Sequence, residues 1–290
     1  MGFIIDSITE FIRDMLQGWV SCNLEEMFLD VNAKVGSVGM EVAQTPSSWN
    51  STVFSLIRTL SDTVIIPIAG MVISYVLIYE LISMVMDKNN MHEFDTGLFF
   101  RYIMKAAVAV LLLSKTTDIV LGIFDVGQYI VLQSTKVIHG STDMNVSMTV
   151  LQIFRNQLTQ LSIGELLSLA LESTIVTFTM KIMSVLITVV LAGRMIEIYL
   201  YISVAPVPFA TMTNKEWGSI GTNYLKGLIA LAFQGFLIMV CVAIYSGLVT
   251  HVAVSEDLHS ALWQVIAYTV VLCFALFKTG SVSKSLFNTH

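Results

Sequence analysis

The stretch YLYISVAPVPFATMTNKEWGSIGTNYLKG, Tyr199–Gly227, begins like a membrane helix and then places Pro206 and Pro208 among apolar residues. Each proline removes a backbone donor and clashes with the preceding turn, so an uninterrupted lipid-facing helix is not expected here. The surrounding chain is apolar enough to make the break meaningful. Of 290 residues, 55% are hydrophobic and 12% charged, with a mean hydropathy of +0.78. Soluble domains carry about 25% charged residues. The composition therefore predicts an all-α polytopic membrane protein.

Four segments reach the ~20 apolar residues that a spanning helix needs: Thr63–Met86, Ser173–Gly193, Leu225–Val249 and Ala261–Phe277. A fifth, Tyr102–Phe124, carries Lys105, Lys115 and Asp118. Lys115 and Asp118 are three apart and can pair on one helical face. Asp125–Ile138 either extends that helix or forms a separate short one. Ahead of these spans, Phe3, Ile4, Ile5, Ile8, Phe11, Ile12, Met15, Leu16, Trp19 and Val20 repeat at helical spacing. Asp6, Glu10, Arg13, Asp14 and Gln17 fill the other face, which predicts an acidic amphipathic helix. A Gly-bearing linker then leads to a second helix over Met40–Leu60, with TPSSWNS as turn and cap. HGSTDMN and TVLQIFRNQLTQL, within 139–172, read as a polar turn and surface helices.

Lys and Arg in short loops mark the cytoplasmic side. Lys88, Arg101, Lys215, Lys226, Lys278 and Lys284 lie on one side, whereas THVAVSEDLHS, Thr250–Ser260, has neither residue type. This distribution predicts five crossings, with the N-terminus outside and the C-terminus inside. Arg194 and Lys215 then share a side, so Met195–Met212 is expected to dip in and return, with its break at APVP. An ordinary spanning helix kinked at the prolines is the competing reading. The expected segments are 1–62 (extracytoplasmic, amphipathic), 63–138 (first membrane hairpin and extension), 139–172 (surface loop), 173–280 (membrane core) and 281–290 (cytoplasmic tail).

A charge inside a span costs about 2.5–3.5 kcal/mol, so each one needs a reason. Glu80 and Lys105, at similar depth on successive antiparallel helices, are expected to form an ion pair. Arg194 and Glu197 are expected to pair locally. Lys181 stands near mid-span with no acid on its own helical segment; it snorkels, meets another subunit, or faces water. Ala243 and Gly247, four apart, are candidates for close helix packing.

No catalytic function is encoded in a motif. HExxH, GxxxxGK[ST] and GxSxG are all absent. Cys22, Cys241 and Cys273 form no CxxC pair, and the five histidines are scattered, so neither a metal nor another cofactor is expected. The net charge is −6 and the fifteen Lys and Arg residues are scattered without a run, so no basic nucleic-acid patch is expected. MGFIIDSITEF lacks the basic n-region of a signal peptide and has Asp6 where a myristoylation signal wants Ser or Thr.

LAGRMIEIYLYISVAPVPFATM, followed by EWGSIGTNYLKGLIALAFQGFLIMVCVAIYSG, resembles the TrbL-type membrane subunits of conjugative type IV secretion systems of Gram-positive elements. Arg194, Tyr199–Tyr201, Ala205–Pro208, Trp217–Gly218 and Tyr224–Gly235 carry the resemblance, which covers Ser173 to about Phe277; residues 1–172 match in layout only. It implies a non-enzymatic channel subunit forming a homo-oligomeric ring in the cell membrane. The implied partners are the secretion ATPase, small membrane subunits, a bitopic scaffold and a transient DNA–relaxase substrate. A secondary transporter with paired broken helices at Pro67 and Pro206 is the main rival. An intramembrane enzyme and a lysis protein fit less well.

Overall fold

A computed structural model describes residues 2–86, 96–141, 154–252 and 258–289. Its elements are α1 (Gly2–Val42), α2 (Pro46–Trp49), α3 (Ser51–Leu60), a π-helical turn (Ser61–Ile65) and α4 (Ile66–Met86). After these come α5 (Thr96–Ser114), α6 (Thr116–Ser141), the described part of α7 (154–158) and α8 (Ile163–Val204). Short α9 (Pro206–Thr211), then α10 (Gly218–Val252) and α11 (Leu258–Leu286), complete the chain. Among the described residues every regular element is helical.

Among the described residues four helices are long and apolar enough to cross a membrane: Ser51–Met86, Ile163–Val204, Gly218–Val249 and Leu258–Leu286. Each contains one of the four spans expected from the sequence. A further pair, Phe99–Ser114 and Thr116–Ile138, passes the same test together but is bent by 64°. The segment Tyr102–Phe124 is therefore not one straight helix. It breaks at Lys115, whose Nζ lies 3.0 Å from Asp118 Oδ2 on the exposed side of the bend. Asp125–Ile138 belongs to α6 and is not a separate helix.

Other boundaries also differ from expectation. Of the expected segment Met195–Met212, Met195–Val204 forms the last ten residues of the continuous 42-residue α8, and the break falls at Ala205–Pro206, where α9 begins. Arg194 and Glu197 look like the end of a span, but tertiary contacts absorb both charges, as described below. At 1.5 Å per residue α8 is about 63 Å long, twice the hydrocarbon thickness. The expected linker near Gly36 and Gly39 is helical, and α1 runs unbroken to Val42. Gly39 is used for proximity, since a Cβ there would touch Met239 and Thr135. TPSSWNS does cap as predicted: Thr45 Oγ1 accepts from Ser48 N, and Asn50 Oδ1 from Val53 N. Pro67 does not break its helix. The wider π-helical turn immediately before it takes up the clash that a proline makes with the preceding turn. The loop containing Lys88, most of the 139–153 turn region and 253–257 lie outside the described residues.

The chain divides into two compact units, each assembled from three separate stretches. The first comprises 1–43, 131–191 and 236–279. Its core draws Leu16, Val20, Leu24 and Met27 from α1, Leu158 from α7, Leu166, Leu169 and Ile187 from α8, and Ile238 and Met239 from α10. The amphipathic stripe foreseen on α1 is thus divided. Leu16 and Val20 are buried, while Ile5, Ile8, Phe11, Met15 and Trp19 stay exposed. Inside this unit Tyr245 Oη and Thr269 Oγ1 meet at 2.9 Å, an interhelical hydrogen bond between α10 and α11.

The second unit comprises 44–130, 192–235 and 280–290. One of its clusters gathers Val120, Phe124, Ile198, Ile202, Phe209, Leu228 and Leu231. Another joins Ala69 and Ile73 of α4, Ala109 of α5 and Ala210 of α9. Small side chains at this second contact let α9 lie directly against α4 and α5.

Candidate functional site

The break after α8 is the most elaborated polar feature of the second unit. Val204 ends the helix, and Pro206 opens α9, where a missing N–H costs nothing. Pro206 is buried and Pro208 half-buried. Thr211 Oγ1 donates to the Pro208 carbonyl at 2.8 Å, satisfying an acceptor at the turn. Gly221, in the first turn of α10, comes so close that a Cβ would lie 2.5 Å from the Pro208 oxygen. Only glycine allows that approach.

The loop that follows is latched to α4 and α5. Asn214 is buried; its Oδ1 accepts from the backbone N–H groups of Glu216 (2.8 Å) and Trp217 (3.0 Å), forming an Asx turn. Asn214 Nδ2 donates to Glu80 Oε2 at 3.1 Å. The other Glu80 oxygen receives the Lys105 ammonium. Glu80 is 8% exposed at its side chain and Lys105 33%, so this pair is largely withdrawn from solvent. Tyr79 Oη donates to Glu216 Oε2 at 2.8 Å. Trp217 stacks between Tyr75 and Tyr79, with ring centroids at 5.3 and 5.7 Å. Three elements distant in sequence thus converge on one buried carboxylate. Breaking one partner of a buried pair costs about 3–5 kcal/mol, because the other charge is left uncompensated.

Arg194 and Glu197, expected to pair locally, each reach another helix. Lys284 of α11 donates to Glu197 Oε1. Arg194 is buried and reaches the Leu231 carbonyl at 3.5 Å. Ser283 Oγ donates to the Ala230 carbonyl at 2.6 Å, tying the end of α11 to α10. Tyr224 donates to the Tyr201 carbonyl and stacks on the Tyr201 ring at 5.4 Å. These two tyrosines, with Leu200, Val204, Asn223, Gly227 and Thr289, line an open groove of about 520 Å³.

In the first unit Lys181 has a partner on another helix: its Nζ lies 2.6 Å from Glu26 Oε1 of α1. Both side chains remain about half exposed. Gly247 is exposed, with open space where a Cβ would stand, and Ala243 is half-buried. Gly247 makes no close helix crossing among the described residues. The tight crossings involve other glycines, among them Gly127, where a Cβ would lie 3.0 Å from Ala232. Among the described residues no group of three or more His, Cys, Asp or Glu side chains could hold a metal.

Sequence reasoning missed Asn214, Glu216 and Tyr79, and named Trp217 only as part of the family resemblance. The signal was present as TNKEWG, an Asx-turn residue two and three places before donors it can satisfy. It also missed the start of α8. There SIGE forms a capping box, with Ser162 N donating to Glu165 Oε2 at 2.8 Å and Glu165 N returning to Ser162 Oγ at 3.4 Å.

Among the described residues the arrangement holds helices against one another around the break. No curated protein and no solved structure matches the chain. The description "TrbL/VirB6 plasmid conjugal transfer like protein" matches residues 31–206, well over half of the chain. That match begins within α1 and ends at Pro206, so it overlaps the resemblance drawn from Ser173 onward only as far as the break. The chain belongs to the TrbL/VirB6 family of plasmid conjugal transfer proteins and is a membrane component of a conjugal transfer system.

Proposed function

We propose that the chain is a channel and scaffold subunit of a conjugative type IV secretion system that helps export a DNA–relaxase substrate. Family membership carries this reading, and the latched break supports it. Non-helical backbone within a membrane protein is tolerated only where protein buries it or water reaches it. In this reading the subunits form a homo-oligomeric ring in the cell membrane, with the N-terminus outside and the C-terminus inside. They contact the secretion ATPase, small membrane subunits and a bitopic scaffold. The stretch 63–138 supplies a membrane hairpin, 139–172 a surface loop, 173–280 the membrane core and 281–290 a cytoplasmic end. The acidic N-terminal turns dock another secretion subunit, Ala243 and Gly247 face a neighbouring copy, and Lys181 faces the lumen. The chain itself performs no catalysis and takes no cofactor.

The experiment is a clean deletion with complementation. Transfer of the mobile element should be abolished while growth and solute uptake stay normal, and crosslinking in membranes should give a homo-oligomer ladder. Loss of uptake of one solute with normal transfer would favour a transporter instead.

A further inference from the structure

Between Glu172 and Arg194 lie 21 residues of α8 whose single charge is Lys181. At 1.5 Å per residue that run is about 31 Å, the thickness of the hydrocarbon layer. α1 is laid along this run. Asn23 Nδ2 donates to Ser173 Oγ (3.0 Å) and Thr174 Oγ1 (3.1 Å) at its start. One turn further along α1 and two turns further along α8, Glu26 meets Lys181. Near the end of α1, Gly39 lies against Met239, inside the apolar run of α10. The two helices therefore advance in parallel, and Asn23–Val42, 20 residues long, covers the same depth as the α8 run. Leu24, Met27, Val38 and Val42 are buried in the same core as α8, α10 and α11.

We infer that Asn23–Val42 crosses the membrane, although hydropathy does not mark it, and that its outward face lines an aqueous passage. Five of its 20 residues are charged: Glu25, Glu26, Asp30, Lys34 and Glu41. Glu25 is exposed beside Arg155, and Glu26 and Lys181 are half exposed. Lipid cannot cover the heads of Glu25, Glu26 and Lys181, because hydrocarbon offers them no hydrogen bonds. Water can, and the mixed-sign pair Glu26–Lys181 stays satisfied there. The face continues through exposed Cys22 and Ala33 and also carries exposed Leu29 and Met40, so its charged part is the Glu25–Glu26 end. By contrast Ile182, next to Lys181 at the same depth, presents an exposed apolar side chain suited to lipid. The inference rests on the membrane reading of this chain but not on DNA export. It moves Asn23–Val42 out of the extracytoplasmic segment and into the membrane, and with the N-terminus outside it requires an odd number of crossings between Gln44 and Glu172 in place of the hairpin proposed for 63–138.

The test is cysteine labelling of the full-length protein in its native membrane, with Cys22, Cys241 and Cys273 otherwise replaced by Ser. Ser7→Cys and Gln44→Cys should react with an impermeant maleimide from opposite sides. Ala33→Cys, Glu26→Cys and native Cys22 should react with a small charged methanethiosulfonate. Ile182→Cys should react about a hundredfold more slowly, since the reactive thiolate does not form in hydrocarbon. Ala33 and native Cys22 keep the test valid if Glu26→Cys misfolds. Ser7 and Gln44 labelling from one side would overturn the crossing. Cys22 and Ala33→Cys as slow as Ile182→Cys would overturn the wet face. Opposite-side labelling in a protein whose deletion leaves transfer intact would sustain this inference and sink the export reading alone.

Discussion

Gly221→Ala offers the sharpest reading of the break, because the structure gives both sides of its energy balance. Alanine in place of glycine inside a helix returns about 1 kcal/mol of backbone propensity. Against that, the new methyl would lie 2.5 Å from the Pro208 carbonyl oxygen and inside the Met212 side chain. Met212 can rotate away; the Pro208 carbonyl cannot, being fixed by the proline ring and the Thr211 hydroxyl. Ordinary C···O contacts begin near 3.3 Å, so the first turn of α10 must retreat by roughly 0.8 Å. Overpacking of that order costs about 1–3 kcal/mol, leaving a net loss of up to about 2 kcal/mol. Gly122→Ala is the control, since a Cβ there meets nothing within 4 Å and only the propensity gain should register. For a chain of this length, each kcal/mol shifts Tm by roughly 1.6 °C. Thermal unfolding of the detergent-purified protein should therefore place Gly221→Ala below Gly122→Ala by roughly 2–5 °C. Trypsin should also cut more readily at Lys215, which the latch holds. If Gly221→Ala melts with or above Gly122→Ala, α10 does not need its close approach to Pro208.

Other tests address the same regions. Glu80→Gln should cost about 2–3 kcal/mol, the lower end because Lys105 is one-third exposed, and adding Lys105→Met should recover part of the loss; additive effects in denaturation would mean the two do not act on each other. Pro206→Ala with Pro208→Ala should leave insertion and abundance intact yet cut transfer at least about tenfold, the equivalent of ~1.4 kcal/mol in positioning; normal transfer would make the break incidental. Lys181→Glu sets a further carboxylate against Glu26 and near Asp30 and should lower transfer without lowering abundance, and adding Glu26→Lys should restore it; absence of rescue would separate the two residues functionally. Cysteines at Ser219 and Ser281 should label from one side and Ser255 from the other; Ser219 labelling with Ser255 would reverse the end of α8.

Four spans and the break were legible because long apolar runs and paired prolines act locally, whatever surrounds them. What could not be read was set by partners far along the chain. Arg194 and Glu197 resemble a span boundary until Leu231 and Lys284 are placed beside them. Pro67 resembles a break until the turn before it widens. The glycines at 36 and 39 suggest a linker, but tertiary packing overrides their low helix propensity in α1. Lys181 looked unpaired because its acid lies 155 positions upstream, on a helix too polar to be taken for a neighbour of a span. The apolar face of α1 was visible, but which half of it would be buried depended on α8.

Neither compact unit is a contiguous piece of sequence. One uses residues as far apart as Met1 and Thr279, the other Gln44 and His290. Any crossover between two related genes falling from residue 44 to residue 279 divides both units between parents. Only exchanges upstream of Gln44 or beyond Thr279 leave one unit inherited whole. Chimeras within this family should therefore tolerate junctions near the two ends and fail in the interior, even where local identity is high. In evolution such a chain diverges by accumulated substitution or is replaced entire, since modular shuffling would dismantle two folds with one cut.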